Sequence, residues 1–168
     1  MAKSQNGYDV IFASGDKRLW LWTIPGCDRH FRLRRGPAGF ILCHFILWFH
    51  ESITRLDTGI WDDWAWHVKP IAGQTSGYSN HASGTAVDLD AIKHPLGRRN
   101  TFTATQMRAI RVRLRLYRLC LRWGGDYVNR ADEMHFEIVR GPVACRALAA
   151  FLRTTPRGRR LAKANPGR

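Results

Sequence analysis

Apolar and polar positions change their period several times along the chain, and each change marks an element. Val10–Phe12 and Leu19–Trp22 are short β-like runs separated by Ser14, Gly15 and Asp16, which predicts a small hairpin over residues 8–24. A nearly unbroken apolar stretch, Phe40 to Phe49, follows Gly36 and Pro37. It predicts a buried helix from about Pro37 to Leu56, stopping before Asp57, Thr58 and Gly59. The run is about ten residues long and contains His44, whereas a membrane span needs about twenty apolar positions. No transmembrane segment is expected. Residues 57–84 read as a long irregular stretch rich in Gly, Ser, Asn and Trp, and a loop of that size is usually either functional or a misread element.

Residues 85–90 alternate with period two and predict a strand on which Ala86, Asp88 and Asp90 share one face, opposite Val87 and Leu89. Thr103 to Trp123 predicts a long helix with Thr103 as its N-cap and Gly124–Gly125 as its stop. Ile110, Leu114, Tyr117 and Leu121 form its apolar face, and Arg108, Arg111, Arg115, Arg118 and Arg122 a second stripe. Met134–Val139 reads as a further strand and Val143–Leu152 as a short helix. The expected fold class is therefore α+β: a small antiparallel sheet packed against helices. Residues 1–152 form one domain in this reading, and residues 153–168 a flexible basic tail.

Composition sharpens two points. With 45% hydrophobic residues in 168, a sizeable core is expected and wholesale disorder is excluded. The net charge of +14 points to a polyanionic partner: nucleic acid, anionic lipid or a bacterial wall polymer. No helix-turn-helix, zinc-finger or RNA-recognition signature accompanies that charge, so a nucleic-acid module is the rival reading and no specific nucleic acid is expected. Cys27, Cys43, Cys120 and Cys145 form no CxxC pair and read as buried free thiols made in a reducing compartment. The first ten residues contain no apolar secretory segment.

Two polar constellations sit on the predicted strands. The first runs from Ser79 through His81 and Gly84 to Asp88; the second is Asp132, Glu133, His135 and Glu137. Two imidazoles and a carboxylate are a frequent three-ligand set for catalytic zinc. Such a site also needs a carboxylate to relay a proton, for which Asp132 and Glu133 are both candidates. Spacing alone leaves the structural alternative open, because the pattern lacks a compact HExxH or paired CxxC signature.

At these residues the sequence resembles a known family. SNHASGTAVDLD followed by WGGDYVNRADEMHFEI is similar to the VanY-like zinc D-alanyl-D-alanine carboxypeptidase and L-alanyl-D-glutamate peptidase family. That family's SxHxxGxAxD motif is matched by Ser79, His81, Gly84, Ala86 and Asp88. Residues 56–97 look especially like peptidase domains of endolysins from phages of mycobacteria and related actinobacteria. The resemblance implies a LAS-type, hedgehog-like zinc peptidase fold, Zn²⁺ held by His81, Asp88 and His135, and Asp132 as the catalytic base. It implies hydrolysis of a peptide-stem amide in peptidoglycan. Asp rather than Glu at position 132 tilts the expected bond toward L-Ala-D-Glu, with D-Ala-D-Ala as the alternative. The expected setting is synthesis in a host cytoplasm and action on the wall after membrane permeabilisation, with the basic tail and arginine stripe attracting the anionic envelope.

Strand geometry argues differently about the base. If residues 133–138 formed a regular strand, Glu133 and Glu137 would share the face of His135 and Asp132 would point away. Asp132 can serve only if the strand begins at or after Glu133. Ser79, and more weakly Gln74, are candidate substrate contacts. Trp61, Trp64 and Trp66 would pack beneath the loop or line a groove, Asp62 and Asp63 would cap turns, and Asp90 would either orient a ligand or cap.

Overall fold

A computed structural model describes residues 1–71 and 77–168. Strands β1 (Leu19–Thr23) and β2 (His30–Arg34) form an antiparallel pair, followed by helix α1 (Pro37–Ser52). Then come β3 (Ala86–Asp88), α2 (Ala104–Leu114), β4 (Leu121–Trp123) and β5 (His135–Ile138). Helices α3 (Pro142–Arg153) and α4 (Pro156–Ala164) complete the chain. The second sheet has the order β3-β5-β4 and is antiparallel throughout. The fold is α+β, as the pattern of elements predicts.

Helix α1 is the centre. Pro37 sits at its first turn, and every residue from Ala38 to His50 is buried. Its ring of neighbours includes β2, β5, α3 and α4. Phe45 and Phe49 pack on Phe136 of β5, with ring centroids 4.5 and 5.7 Å apart. Register then sorts the sheet into two faces. Val87, Phe136 and Trp123 are cross-strand neighbours on the face packed into the core. Asp88 opposite His135, and Ala86 and Arg122 opposite Glu137, fall on the other face.

Four sequence expectations are corrected. The partner of β1 is His30–Arg34 rather than Val10–Phe12; Phe31 and Leu33 point inward between exposed His30 and Arg32. Residues 10–12 instead brace the loops, with the Ile11 N–H donating to Ala82 O and the Trp66 Nε1–H donating to Ile11 O. The helix beginning at Pro37 ends at Ser52, four residues short of Leu56. The 103–123 helix stops at Leu114. A 3₁₀ turn (Arg115–Tyr117) and two left-handed residues, Arg118 (φ 49°) and Leu119 (φ 60°), reverse the chain into β4. Pairing with β5 outweighs helix propensity there, and the arginine stripe is divided among a helix, a turn and a strand.

The tail is also not a free arm. Thr155 caps α4 by accepting from the Gly158 N–H, and Leu161 is fully buried. Asn165 pairs with the backbone of Thr23 in both directions, at 2.8 and 2.9 Å. Arg157 and Arg160 both reach Glu51 of α1. Reading cations as solvated overlooked Leu161 and Asn165, which face inward.

Candidate metal centre

His81 lies in a 3₁₀ turn, Asn80–Ser83, that leads directly into β3. The turn closes at Gly84, which takes φ 67° and approaches Arg34 so closely that a Cβ would lie 2.7 Å from its backbone nitrogen. Only glycine meets both demands. Four residues later Asp88 ends β3, directly across from His135 at the start of β5. Trp64 exchanges two backbone hydrogen bonds with Asp88, at 2.7 and 2.9 Å. That bridge carries Ala65 O to within 2.6 Å of His81 Nδ1.

Three donor atoms converge. His81 Nε2 is 3.1 Å from His135 Nδ1, and Asp88 Oδ1 is 3.2 and 2.8 Å from these two nitrogens. The outer nitrogen of each ring faces an acceptor: His81 Nδ1 meets Ala65 O, and His135 Nε2 meets Glu137 Oε2 at 3.3 Å. With the ring protons outward, two neutral imidazoles would turn both inner lone pairs on a carboxylate oxygen. Such a knot of electron pairs calls for a cation, and two imidazoles plus one carboxylate suit zinc. Protonation reflects the same demand. Burial opposes a charge on His135, yet the carboxylates of Asp88 and Glu137 outweigh it and push its pKa up to about 10. Burial likewise raises Asp88, but His81 and His135 outweigh it and hold the carboxyl far below its usual range.

Beside these donors opens a cleft of about 440 Å³, lined in part by Ser79, His81, Asp88, Asp132 and His135. Asp132 precedes β5, and its carbonyl accepts the His135 N–H. Its Oδ1 is buried without a hydrogen-bond partner. Burial chiefly, and Asp88 secondarily, raise the Asp132 pKa. Gly124 makes this placement possible, because a Cβ there would lie 2.4 Å from Asp132 O.

Glu133 turns the other way. Its carboxylate accepts from the backbone N–H groups of Asn100 and Thr101 and from the Thr101 hydroxyl. The strand begins at His135, so the regular alternation that would have faced Glu133 toward the imidazoles does not extend back to it. Ser79 Oγ, like Asp132 Oδ1, is buried without a partner at the cleft wall. Gln74 lies outside the described residues.

A family model described as D-alanyl-D-alanine carboxypeptidase matches residues 72–138. That segment contains His81, Asp88, Asp132 and His135. No curated protein and no solved structure matches the chain.

The remaining candidates separate clearly. Trp66 is anchored to Ile11, while Trp61 and Trp64 are exposed. Asp62 and Asp63 accept from the N–H groups of Ile92 and Asp90 and so cap that turn. Asp90 has φ 53°, leaves the strand and pairs with Lys93. Two neighbours of the donors escaped sequence reasoning. His67 stacks on His81 with ring centroids 4.3 Å apart, and burial lowers its pKa to about 4. No motif surrounds it; only the loop's path brings it there.

Glu137, named in the second polar constellation but given no role there, is the anchor of a polar network. It takes hydrogen bonds from Asn80, Arg122 and Tyr127. A second convergence, of Cys27, His50 and Asp57, is different in kind. There His50 Nδ1 accepts the Leu56 N–H and Nε2 faces Gly26 O, so neither ring nitrogen is free to bind a metal.

Proposed function

We propose that this chain is a zinc-dependent peptidase hydrolysing an amide in the peptide stem of peptidoglycan. The observation that carries the reading is the unpartnered Asp132 carboxylate in the same cleft as the converged His81, Asp88 and His135 donors. The family match over the same residues supports it.

His81 Nε2, Asp88 Oδ1 and His135 Nδ1 would hold Zn²⁺. Bound there, the ion supplies Lewis acidity, polarising a substrate carbonyl and acidifying water. Asp132 takes a proton from the attacking water as its oxygen bonds to the carbonyl carbon. As the C–N bond breaks, the same carboxyl delivers that proton to the leaving amine. A half-buried carboxyl with a raised pKa is suited to holding the proton between the two steps. Ala65 and Glu137 keep the two imidazoles oriented. Lys69, Arg122 and Arg130 line the cleft, and their charge favours a carboxylate-bearing stem.

Asp at position 132 supports L-Ala-D-Glu as the bond cut, on the resemblance to phage endolysin peptidases. The description of the matched family favours a second reading, D-Ala-D-Ala carboxypeptidase. As an endolysin, the chain would be made in a host cytoplasm and reach the wall once the membrane is permeabilised, with exposed cations such as Arg108, Arg115 and Arg159 attracting it to the anionic envelope. Mass spectrometry of digested peptidoglycan tests the bond. New N-terminal D-Glu or D-isoGln supports the first reading, and released D-Ala the second. Intact wall after treatment with zinc-loaded protein would overturn both.

A further inference from the structure

A second cavity, of about 410 Å³, opens where α4 meets α1 and the end of α2, and shares no lining residue with the cleft. Arg113, Arg157, Arg160, His44 and Thr155 line it. The Arg113 guanidinium lies against Trp48 and Tyr117, 5.5 and 5.6 Å from their ring centroids. Its Nε and Nη2 are buried without a hydrogen bond. A guanidinium desolvated in this way normally has an anion against it.

The carboxylate paired with the lining arginines is already engaged. Glu51 accepts from Arg157 at 2.8 and 3.1 Å and from Arg160 at 2.7 Å. His44 adds no charge. Burial first, then Arg113 and Arg157, lower its pKa to about 3, and its nitrogens face the Tyr117 and Thr155 hydroxyls. The lining carries three guanidiniums, and Glu51, which pairs with two of them, brings one negative charge, so these groups together hold an excess of two positive charges.

We propose that this cavity is an anion site for a phosphate dianion, either free or as the phosphoryl end of a larger molecule. Phosphate carries about 1.5 to 2 negative charges near neutral pH, its dianion matches the excess, and it offers oxygens on several sides to guanidinium forks. A carboxylate balances only half of the excess. The site owes nothing to the peptidase reading, and none of its residues belongs to the catalytic machinery.

Isothermal titration of the full zinc-loaded chain at fixed ionic strength tests it, with inorganic phosphate, glycerol 1-phosphate and acetate as probes. Saturable phosphate binding, one per chain, is expected, with acetate about tenfold weaker or more. Arg113→Gln and Arg160→Gln should each weaken phosphate by about tenfold, while Arg159→Gln, exposed on the same helix but outside the cavity, should change it less than about twofold. Arg113→Lys keeps the charge but loses the fork, and should also weaken binding. Binding of glycerol 1-phosphate as well as phosphate identifies a phosphoryl end group; binding of phosphate alone identifies the free ion. Absence of saturable binding, equal affinity for acetate, or equal losses in the Arg113→Gln and Arg159→Gln variants would overturn the site. Hydrolysis of a soluble stem peptide should be unchanged by Arg113→Gln.

Discussion

Asp88 and His135 are direct cross-strand partners, and their side chains meet at 2.8 Å although 47 positions separate them in sequence. Strand pairing therefore sets the donor geometry before any metal arrives. Replacing Asp88 with Asn removes the anionic donor while leaving the register intact. Zinc content by mass spectrometry of the purified protein should fall from about one ion per chain to well below it. Full zinc occupancy in the Asp88→Asn and His81→Ala variants would remove this cluster as the metal site.

The two neighbouring carboxylates should behave oppositely. Asp132→Asn keeps the shape and should retain zinc, while hydrolysis falls by about a thousandfold. Glu133→Gln should leave turnover per folded molecule near normal but lower stability by about 2–3 kcal/mol, since the Asn100 and Thr101 donors lose a charged acceptor. Turnover and denaturant midpoint, measured on both variants, separate chemistry from scaffold.

Glu137 should act through His135. Glu137→Gln weakens the hold on the outer imidazole nitrogen, and zinc affinity measured by chelator competition should drop by about 10- to 100-fold. Zinc affinity equal to that of the unaltered chain would confine Glu137 to the Arg122 and Tyr127 network.

Two acids give opposite pH signatures. Burial raises the Asp63 pKa to about 6, despite the opposing Asp90 N–H, so the folded chain binds that proton more tightly than the unfolded one. Its contribution is favourable at low pH and is lost as pH rises through about 6. Asp63→Asn keeps an acceptor for Asp90 and should stabilise by about 1–2 kcal/mol near pH 8, with little effect near pH 4. For Glu133, burial is outweighed by the Thr101, Asn100 and Phe102 donors, and the pKa is lowered. Its contribution is present above the ordinary glutamate range and disappears as pH falls through the lowered value. Urea melts across pH read both signs.

Leu161 tests whether the basic C-terminal segment is docked. Leu161→Ala should cost about 2–4 kcal/mol, as for other fully buried leucines. A free arm would register no change.

Legibility in the sequence followed how local each determinant is. Thr103 caps α2 as expected, because a capping box lies within four residues. The strand carrying Asp88 and the one beginning at His135 show in their alternation, and the burial of α1 shows in its unbroken apolar run. Leu121–Trp123 did not show as a strand, since nothing in Arg118 or Leu119 signals a left-handed turn and the gain lies in pairing with β5. Asp132 and Glu133 could not be separated by pattern. Their difference depends on Gly124 admitting Asp132 and on three distant amides taking Glu133. The stacking of His67 on His81 is likewise tertiary.

From Ala38 to His50 helix α1 has no solvent face, and that governs what happens when the chain opens. An unfolded molecule presents Phe40–Phe49 to water as one continuous sticky segment, uninterrupted by any charged side chain. Refolding must hide this segment beneath both β5 and α4 before two chains find each other through it. Heat inactivation should therefore be governed by the rate of opening rather than by an equilibrium. The apparent melting temperature should rise with scan rate, and recovery on cooling should improve as the protein is diluted.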